Sequence, residues 1–287
     1  MDGHAAAFPA QEDGRLGVLN SPAAQRPAAQ RPVAPAGGWL LPPRRAEPIN
    51  SRVFCWPYAG LGASLFVAWS RQAPPGLGIY GIQPPGRESR MSEPPLRRVG
   101  DMVSRLADAM AGEPGLLDAP YALLGCSFGG IASFELARTL VARGLPAPAA
   151  FIVVACRPPH RVHPVGPFST LDDDALADRL DRDYGGVPEI LRQQPDLLRL
   201  FLPTLRADLE AMEHYVPPDA STALDCPVLA IGGAADDQVP GSVLEEWTRY
   251  GGDGSAAWTL AGRHFLVRDD PAAALAAVLD GLGPWLP

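Results

Sequence analysis

Gly125-Cys126-Ser127-Phe128-Gly129 constrains the fold of this chain more than any other feature. The apolar run Tyr121 to Leu124 before it reads as a strand. Ile131, Phe134, Leu140 and Val141 follow at near-helical spacing. A serine with glycine two residues to either side, between a strand and a helix, marks a sharp turn that lifts a nucleophile to the end of the strand. The turn is so tight that only small side chains fit at the flanking positions. It also sets Ser127 at a helix N-terminus, where the Phe128 N–H and the helix dipole can stabilise an oxyanion. A glycine-rich turn with an incidental serine is the plainer reading, and the flanking strand and helix weigh against it.

From Arg52 onward the same alternation continues. Strand-like runs lie near 52–56, 78–82, 120–125, 149–155, 226–232 and 256–260, and helical patterns near 64–72, 97–111, 128–143, 240–250 and 271–282. This rhythm predicts an α/β fold, a mostly parallel central sheet with helices on both faces. Between about 158 and 220 no strand pattern occurs, and 172–183 and 195–215 read as helices. An insertion close to the chemical end of a sheet is where a substrate-covering lid is expected; helices that only extend the core are the alternative. Residues 1–50 form a separate Ala/Pro-rich segment with the direct repeat Ala-Ala-Gln-Arg-Pro at 23–27 and 28–32. It has little to bury and is expected to be a flexible leader to a 51–287 domain, with Trp39, Leu40 and Leu41 as its only anchor-like residues. A docking peptide for a partner is the other reading of that leader.

The charge balance excludes several functions. With 24 basic against 32 acidic residues, a net charge of −8 and no run of lysines, the chain is not expected to bind nucleic acid. Cys55, Cys126, Cys156 and Cys226 are scattered, mostly in apolar strand-like runs, with neither disulfide nor zinc spacing. They read as buried thiols in a reducing compartment. Neither a signal peptide nor a membrane-length apolar stretch is visible, so the expected location is the cytoplasm. No His/Cys/Asp cluster has ligand spacing, so neither metal nor cofactor is expected.

A serine hydroxyl needs a base within hydrogen-bond reach and an acid to orient that base. Of the five histidines, His4 is in the leader, His160 and His163 flank the insertion, and His214 lies in a helix. His264 follows the last strand, the place of the base in the α/β-hydrolase order Ser…Asp…His. The acid belongs after the preceding strand, where Asp236 and Asp237 compete. The spacing Gly233-x-x-Asp236-x-x-Val239 is the usual form of this acid loop and favours Asp236, leaving Asp237 to face solvent or cap a helix near Pro240. A second oxyanion donor is expected in Pro57-Tyr58-Ala59-Gly60-Leu61-Gly62, from the N–H of Ala59, with Tyr58 and Gly60 as alternatives.

These residues together resemble the type II thioesterases of polyketide synthases and nonribosomal peptide synthetases, from about Arg52 to the C-terminus. Phe54-Cys55-Trp56-Pro57-Tyr58-Ala59-Gly60 looks like the family's oxyanion loop, and Gln83-Pro84-Pro85-Gly86-Arg87-Glu88 like its Pro-Gly-Arg-Glu signature. Gly125 to Gly129 matches the serine turn, and Arg206-Ala207-Asp208 a lid-region signature. Leu224 to Pro227 leads into the acid strand as the family does, and Gly262-Arg263-His264-Phe265 resembles its base motif. The resemblance implies hydrolysis of acyl groups from the phosphopantetheine arm of carrier proteins, clearing stalled or misprimed assembly lines. Ser127 would be nucleophile, His264 base, Asp236 orienting acid, and Phe128 and Ala59 the oxyanion hole. Arg87 and Glu88 read as an ion pair or loop anchor.

Two departures bear on substrate choice. Cys126 and Phe128 stand where the family often has histidine and methionine, and Phe128 could narrow the acyl pocket; the long leader is the second. The expected partner is an acidic carrier protein, met by a monomer through Arg97, Arg98, Arg157 or Arg161, though a solvated charged face explains these arginines as well. Two rivals stand beside hydrolysis: transfer of the Ser127-bound acyl group to an amine, alcohol or second carrier thiol, and a non-catalytic binding module on the same scaffold.

Overall fold

The strand-like runs form the strands of one sheet in the computed structural model, which describes residues 36–43, 48–162, 167–185, 195–219 and 222–286. The strands are β1 (Leu40–Leu41), β2 (Ser51–Trp56), β3 (Leu77–Ile82), β4 (Tyr121–Cys126), β5 (Ala150–Val154), β6 (Val228–Gly233) and β7 (Ala256–Leu260). They lie in the order β1-β3-β2-β4-β5-β6-β7. All neighbours are parallel except the β1–β3 pair at one edge. Strands β2 to β6 are buried on both faces, which is why they read as apolar runs without a polar side.

The longer α-helices are α1 (Val67–Gln72), α2 (Val99–Ala111), α3 (Phe128–Ala142), α4 (Asp173–Tyr184), α5 (Pro195–Glu213) and α6 (Pro271–Leu282), with shorter helical turns between them. The period-2 alternation of the strands divides the core. Phe54, Leu123 and Phe151 pack with Met102, Leu106, Ile131 and Phe134 of α2 and α3 on one face. Their neighbours Val53, Cys55, Ala122, Leu124 and Ile152 pack with Trp69 of α1 and Leu275 and Val278 of α6 on the other. All four cysteines are free and buried. Burial pushes each thiol's pKa up, that of Cys226 to about 12.

The sheet reaches further towards the N-terminus than the alternation from Arg52 suggests. Leu40 and Leu41 pair antiparallel with Ile82 and Gly81. Trp39 and Leu40 are buried, and the Arg90 guanidinium lies 4.5 Å from the centre of the Trp39 ring. The anchor-like residues therefore do anchor; residues 1–35 and 44–47 of the expected leader lie outside the described residues.

Helices α4 and α5 are inserted between β5 and β6, close to the segments read as helical from the sequence. Asp172 caps α4 by accepting the Ala175 N–H at 2.8 Å, and Gly185, at φ 63°, ends it in the left-handed conformation that glycine favours. Leu176, Leu202, Leu205 and Phe168 form a small apolar core within this insertion.

Candidate active site

Strand β4 delivers Ser127 into α3 through backbone that L-residues seldom adopt, with φ 51° and ψ −116°. Its N–H donates to the Val154 carbonyl at 2.8 Å, and the Gly130 N–H closes the turn onto the Ser127 carbonyl at 2.8 Å. The flanking glycines are required by contact. A Cβ at Gly125 would lie 2.0 Å from the Gly129 carbonyl oxygen, and one at Gly129 2.5 Å from the carbonyl oxygens of Trp56 and Pro57.

His264, in the loop after β7, brings Nε2 to 2.9 Å from Ser127 Oγ and Nδ1 to 2.8 Å from Asp236 Oδ2. Asp236, in the loop after β6, also accepts the N–H groups of Gln238 and Val239 on Oδ1, at 2.9 and 3.2 Å. Burial alone would raise the pKa of this carboxyl. The hydrogen bond and charge of His264 and the two N–H groups outweigh burial and hold it below the ordinary carboxylate range. Asp237 is exposed. Tyr58 donates its hydroxyl to the His264 carbonyl at 3.3 Å, and the ring of Tyr184, from α4, lies 4.8 Å from the imidazole.

The other histidines lie elsewhere. His160 pairs with Glu246 at 2.6 Å, His214 contacts the Glu210 carbonyl in α5, and His4 and His163 fall outside the described residues.

Above Ser127 is a cavity of about 170 Å³, lined by Tyr58, Ala59, Phe128 and His264 below and by Phe168, Leu180, Tyr184, Leu205, Leu209 and Met212 of the insertion. Its walls are mostly apolar, as expected for an acyl chain. Helices α4 and α5 thus form the roof of this cavity. Phe128 is the first residue of α3, so its N–H has no intrahelical acceptor. Its ring lines the cavity and meets Trp56 edge-on, with centroids 6.5 Å apart. Ala59 faces the same cavity from the loop after β2. The N–H of Gly60, an alternative oxyanion donor, donates to Asp208 Oδ2 at 2.8 Å. Buried Cys126 packs with the core on the α1/α6 face of the sheet.

Of the four arginines considered for a partner, Arg97 pairs with Glu210 and Arg161 with Glu246. Arg157 donates to the Gln238 carbonyl at 2.7 Å, and Arg98 precedes the first residue of α2 without a side-chain capping bond. Arg87 pairs with Asp208 at 2.6 Å, a link not legible as chemistry in the sequence although both residues lie in motifs that stand out there.

A profile of the thioesterase domain matches residues 51–279. The chain belongs to the thioesterase family. It is 32% identical over 229 residues to the gramicidin S biosynthesis protein GrsT of Aneurinibacillus migulanus, covering 80% of this chain and 88% of that protein. It is 34% identical over 237 residues to thioesterase PikA5 of Streptomyces venezuelae, covering 82% of each. Among solved structures, the type II thioesterase YbtT of the yersiniabactin pathway superposes with a TM-score of 0.75 at 27% identity, covering 87% of this chain and 100% of that one. RedJ, a thioesterase of prodiginine biosynthesis in Streptomyces coelicolor, gives a TM-score of 0.74 at 30% identity, covering 94% and 99%. The thioesterase has the α/β-hydrolase fold of these relatives and is a thioester hydrolase. Among its described residues no helix is long and apolar enough to cross a membrane.

Proposed function

We propose that the enzyme removes acyl groups from the phosphopantetheine arm of carrier proteins in polyketide or nonribosomal peptide synthases, with Ser127, His264 and Asp236 as its catalytic residues. The observation that carries this reading is the 2.9 Å contact between His264 Nε2 and Ser127 Oγ beneath an apolar, helix-roofed cavity. Ser127 Oγ attacks the thioester carbonyl while His264 Nε2 takes its proton. The N–H groups of Phe128 and Ala59 hold the oxyanion of the tetrahedral intermediate. As the carbon–sulfur bond breaks, His264 returns the proton to the departing thiolate. Water, deprotonated by His264, then attacks the acyl-serine, and His264 passes that proton to Ser127 Oγ as the ester bond breaks and the free acid leaves. Asp236 holds the imidazole in the tautomer that presents Nε2 to the serine.

Four free, buried cysteines accord with a reducing cytoplasm. Arg157 and Arg161 line the cavity and are the cations past which a phosphopantetheine arm would enter.

The test is intact-protein mass spectrometry of an acetyl- or propionyl-loaded carrier protein incubated with wild type and with Ser127→Ala. Loss of the acyl mass with wild type alone is the expected result. Carrier unloading that stops at one acyl group per enzyme, held on Ser127 with no free acid released, would identify a transferase instead.

A further inference from the structure

The loop after β2 carries the Ala59 N–H, and side chains from distant segments tie down its next residues. The Gly60 N–H donates to Asp208 Oδ2 at 2.8 Å, and the Leu61 carbonyl accepts from Arg87 Nη1 at 3.2 Å. The Ala63 N–H donates to Gln83 Oε1 at 2.7 Å, and Ser64 donates its N–H and Oγ–H to Glu88 at 3.1 and 2.5 Å. Gln83 is itself held through the Arg87 carbonyl, which accepts from Gln83 Nε2 at 2.7 Å.

Asp208 is the centre of this arrangement. It lies on α5, in the roof of the cavity, with its side chain 0% exposed. Both its oxygens accept from the Arg87 fork, Oδ2 from Nη1 at 2.6 Å and Oδ1 from Nη2 at 2.9 Å. One carboxylate oxygen thus serves the loop and the arginine together. Thr204, one turn earlier on α5, donates to the Gly86 carbonyl at 2.7 Å. The fit is close: Gly60 has φ +73°, and a Cβ there would lie 2.7 Å from Phe201 Cζ and 3.1 Å from Leu205 Cβ of α5. The turn at Gly60 and the roof helix therefore define one another's position.

We infer that Asp208, held by Arg87, is a positioning residue that fixes the Ala59 N–H at the distance an oxyanion requires, so that the roof helix completes the oxyanion hole. The inference rests on the proposed role of Ala59. An N–H donor stabilises a transition state only when aimed in advance at the place where charge develops. A displacement near 1 Å is enough to cost about 100-fold in rate. Cutting the Gly60 tether leaves the residue beside Ala59 free to turn its peptide plane. A buried ion pair that merely fastens the insertion to the body would not have this effect on the chemical step.

The experiment compares wild type, Ser127→Ala, Asp208→Asn and the double variant Arg87→Met/Asp208→Leu, using acetyl- and hexanoyl-thioesters of N-acetylcysteamine. Removing one partner of a buried pair strands a charge, whereas replacing both with apolar side chains leaves stability near that of wild type. The double variant is therefore expected to melt close to wild type yet still lack an acceptor for the Gly60 N–H. The double variant is expected to lower kcat about 10- to 100-fold with KM nearly unchanged, as for an interaction made only in the transition state, and Asp208→Asn, whose amide oxygen still accepts from the Gly60 N–H, to lower it less. Affinity for an alkyl boronic acid, which forms a tetrahedral adduct on Ser127, should fall by a similar factor. Affinity for the non-reactive thioether analogue of the substrate should hold. Recovery of wild-type kcat by the double variant, a rise in KM alone, or unchanged boronate affinity would overturn the inference. Turnover that survives Ser127→Ala would instead overturn the functional reading on which it rests.

Discussion

Asp236 Oδ2 accepts from His264 Nδ1 at 2.8 Å while the N–H groups of Gln238 and Val239 occupy Oδ1, so the carboxylate is oriented before it orients the imidazole. Asp236→Asn is expected to lower kcat by about 10⁴, because an amide presents a donor where the imidazole needs an acceptor. Asp237→Asn, on an exposed neighbour, should leave kcat within about twofold. Steady-state kinetics of the two variants decides which aspartate serves the histidine.

Ser127 holds φ 51° without being glycine. Such backbone costs on the order of 1–3 kcal/mol, and glycine pays none of it, although its looser unfolded chain offsets part of the gain. Ser127→Gly should therefore be more stable than Ser127→Ala by about 1 kcal/mol, both being inactive. Urea midpoints of the two variants measure the difference.

Phe128 forms part of the cavity wall and packs edge-on against Trp56. Replacing it with methionine substitutes a slimmer, flexible side chain for a rigid ring. Phe128→Met is expected to raise the ratio of kcat/KM for hexanoyl over acetyl thioester about tenfold, the scale of one or two methylenes in an apolar pocket. The ratio should rise with little change for acetyl.

Glu246 accepts from Arg161 and His160, and its pKa falls to about 2, chiefly through the Arg161 hydrogen bond. A carboxylate whose pKa is lower folded than unfolded stabilises fully above the unfolded value of about 4.3 and loses that contribution as pH falls towards the folded one. Glu246→Gln should thus be less stable than wild type at pH 7, by no more than about 1 kcal/mol because Arg161 is solvent-exposed. The gap should close between about pH 4.5 and 2. Thermal midpoints measured from pH 7 to 3 follow it, and a gap that widens in acid would contradict the assignment.

The fold and the residues that meet at the candidate site are legible in the sequence because their signals are local. Ser127 sits in a five-residue turn, chain order after a plain apolar strand points to His264, and the Gly233-x-x-Asp236-x-x-Val239 spacing favours Asp236 over Asp237. The tether between Gly60 and Asp208 has no such signal. The two residues are 148 positions apart, and nothing in a lid helix says which of its acids turns inward. Arg87 and Glu88 were read as an ion pair or loop anchor; Arg87 pairs with Asp208 and Glu88 anchors Ser64. Strand β1 was hidden for a different reason. Two residues in an Ala/Pro-rich stretch show no periodicity, and pairing with β3 rather than propensity makes them a strand.

The most direct test of the account is turnover of an acyl-loaded carrier protein in H₂¹⁸O, with the released acid and the intact enzyme both weighed. Hydrolysis through an acyl-Ser127 intermediate predicts free acid carrying one ¹⁸O, an enzyme that returns to its starting mass, and no release by Ser127→Ala. Acid release that persists in Ser127→Ala, or an enzyme that stays acylated and releases no acid, would contradict it.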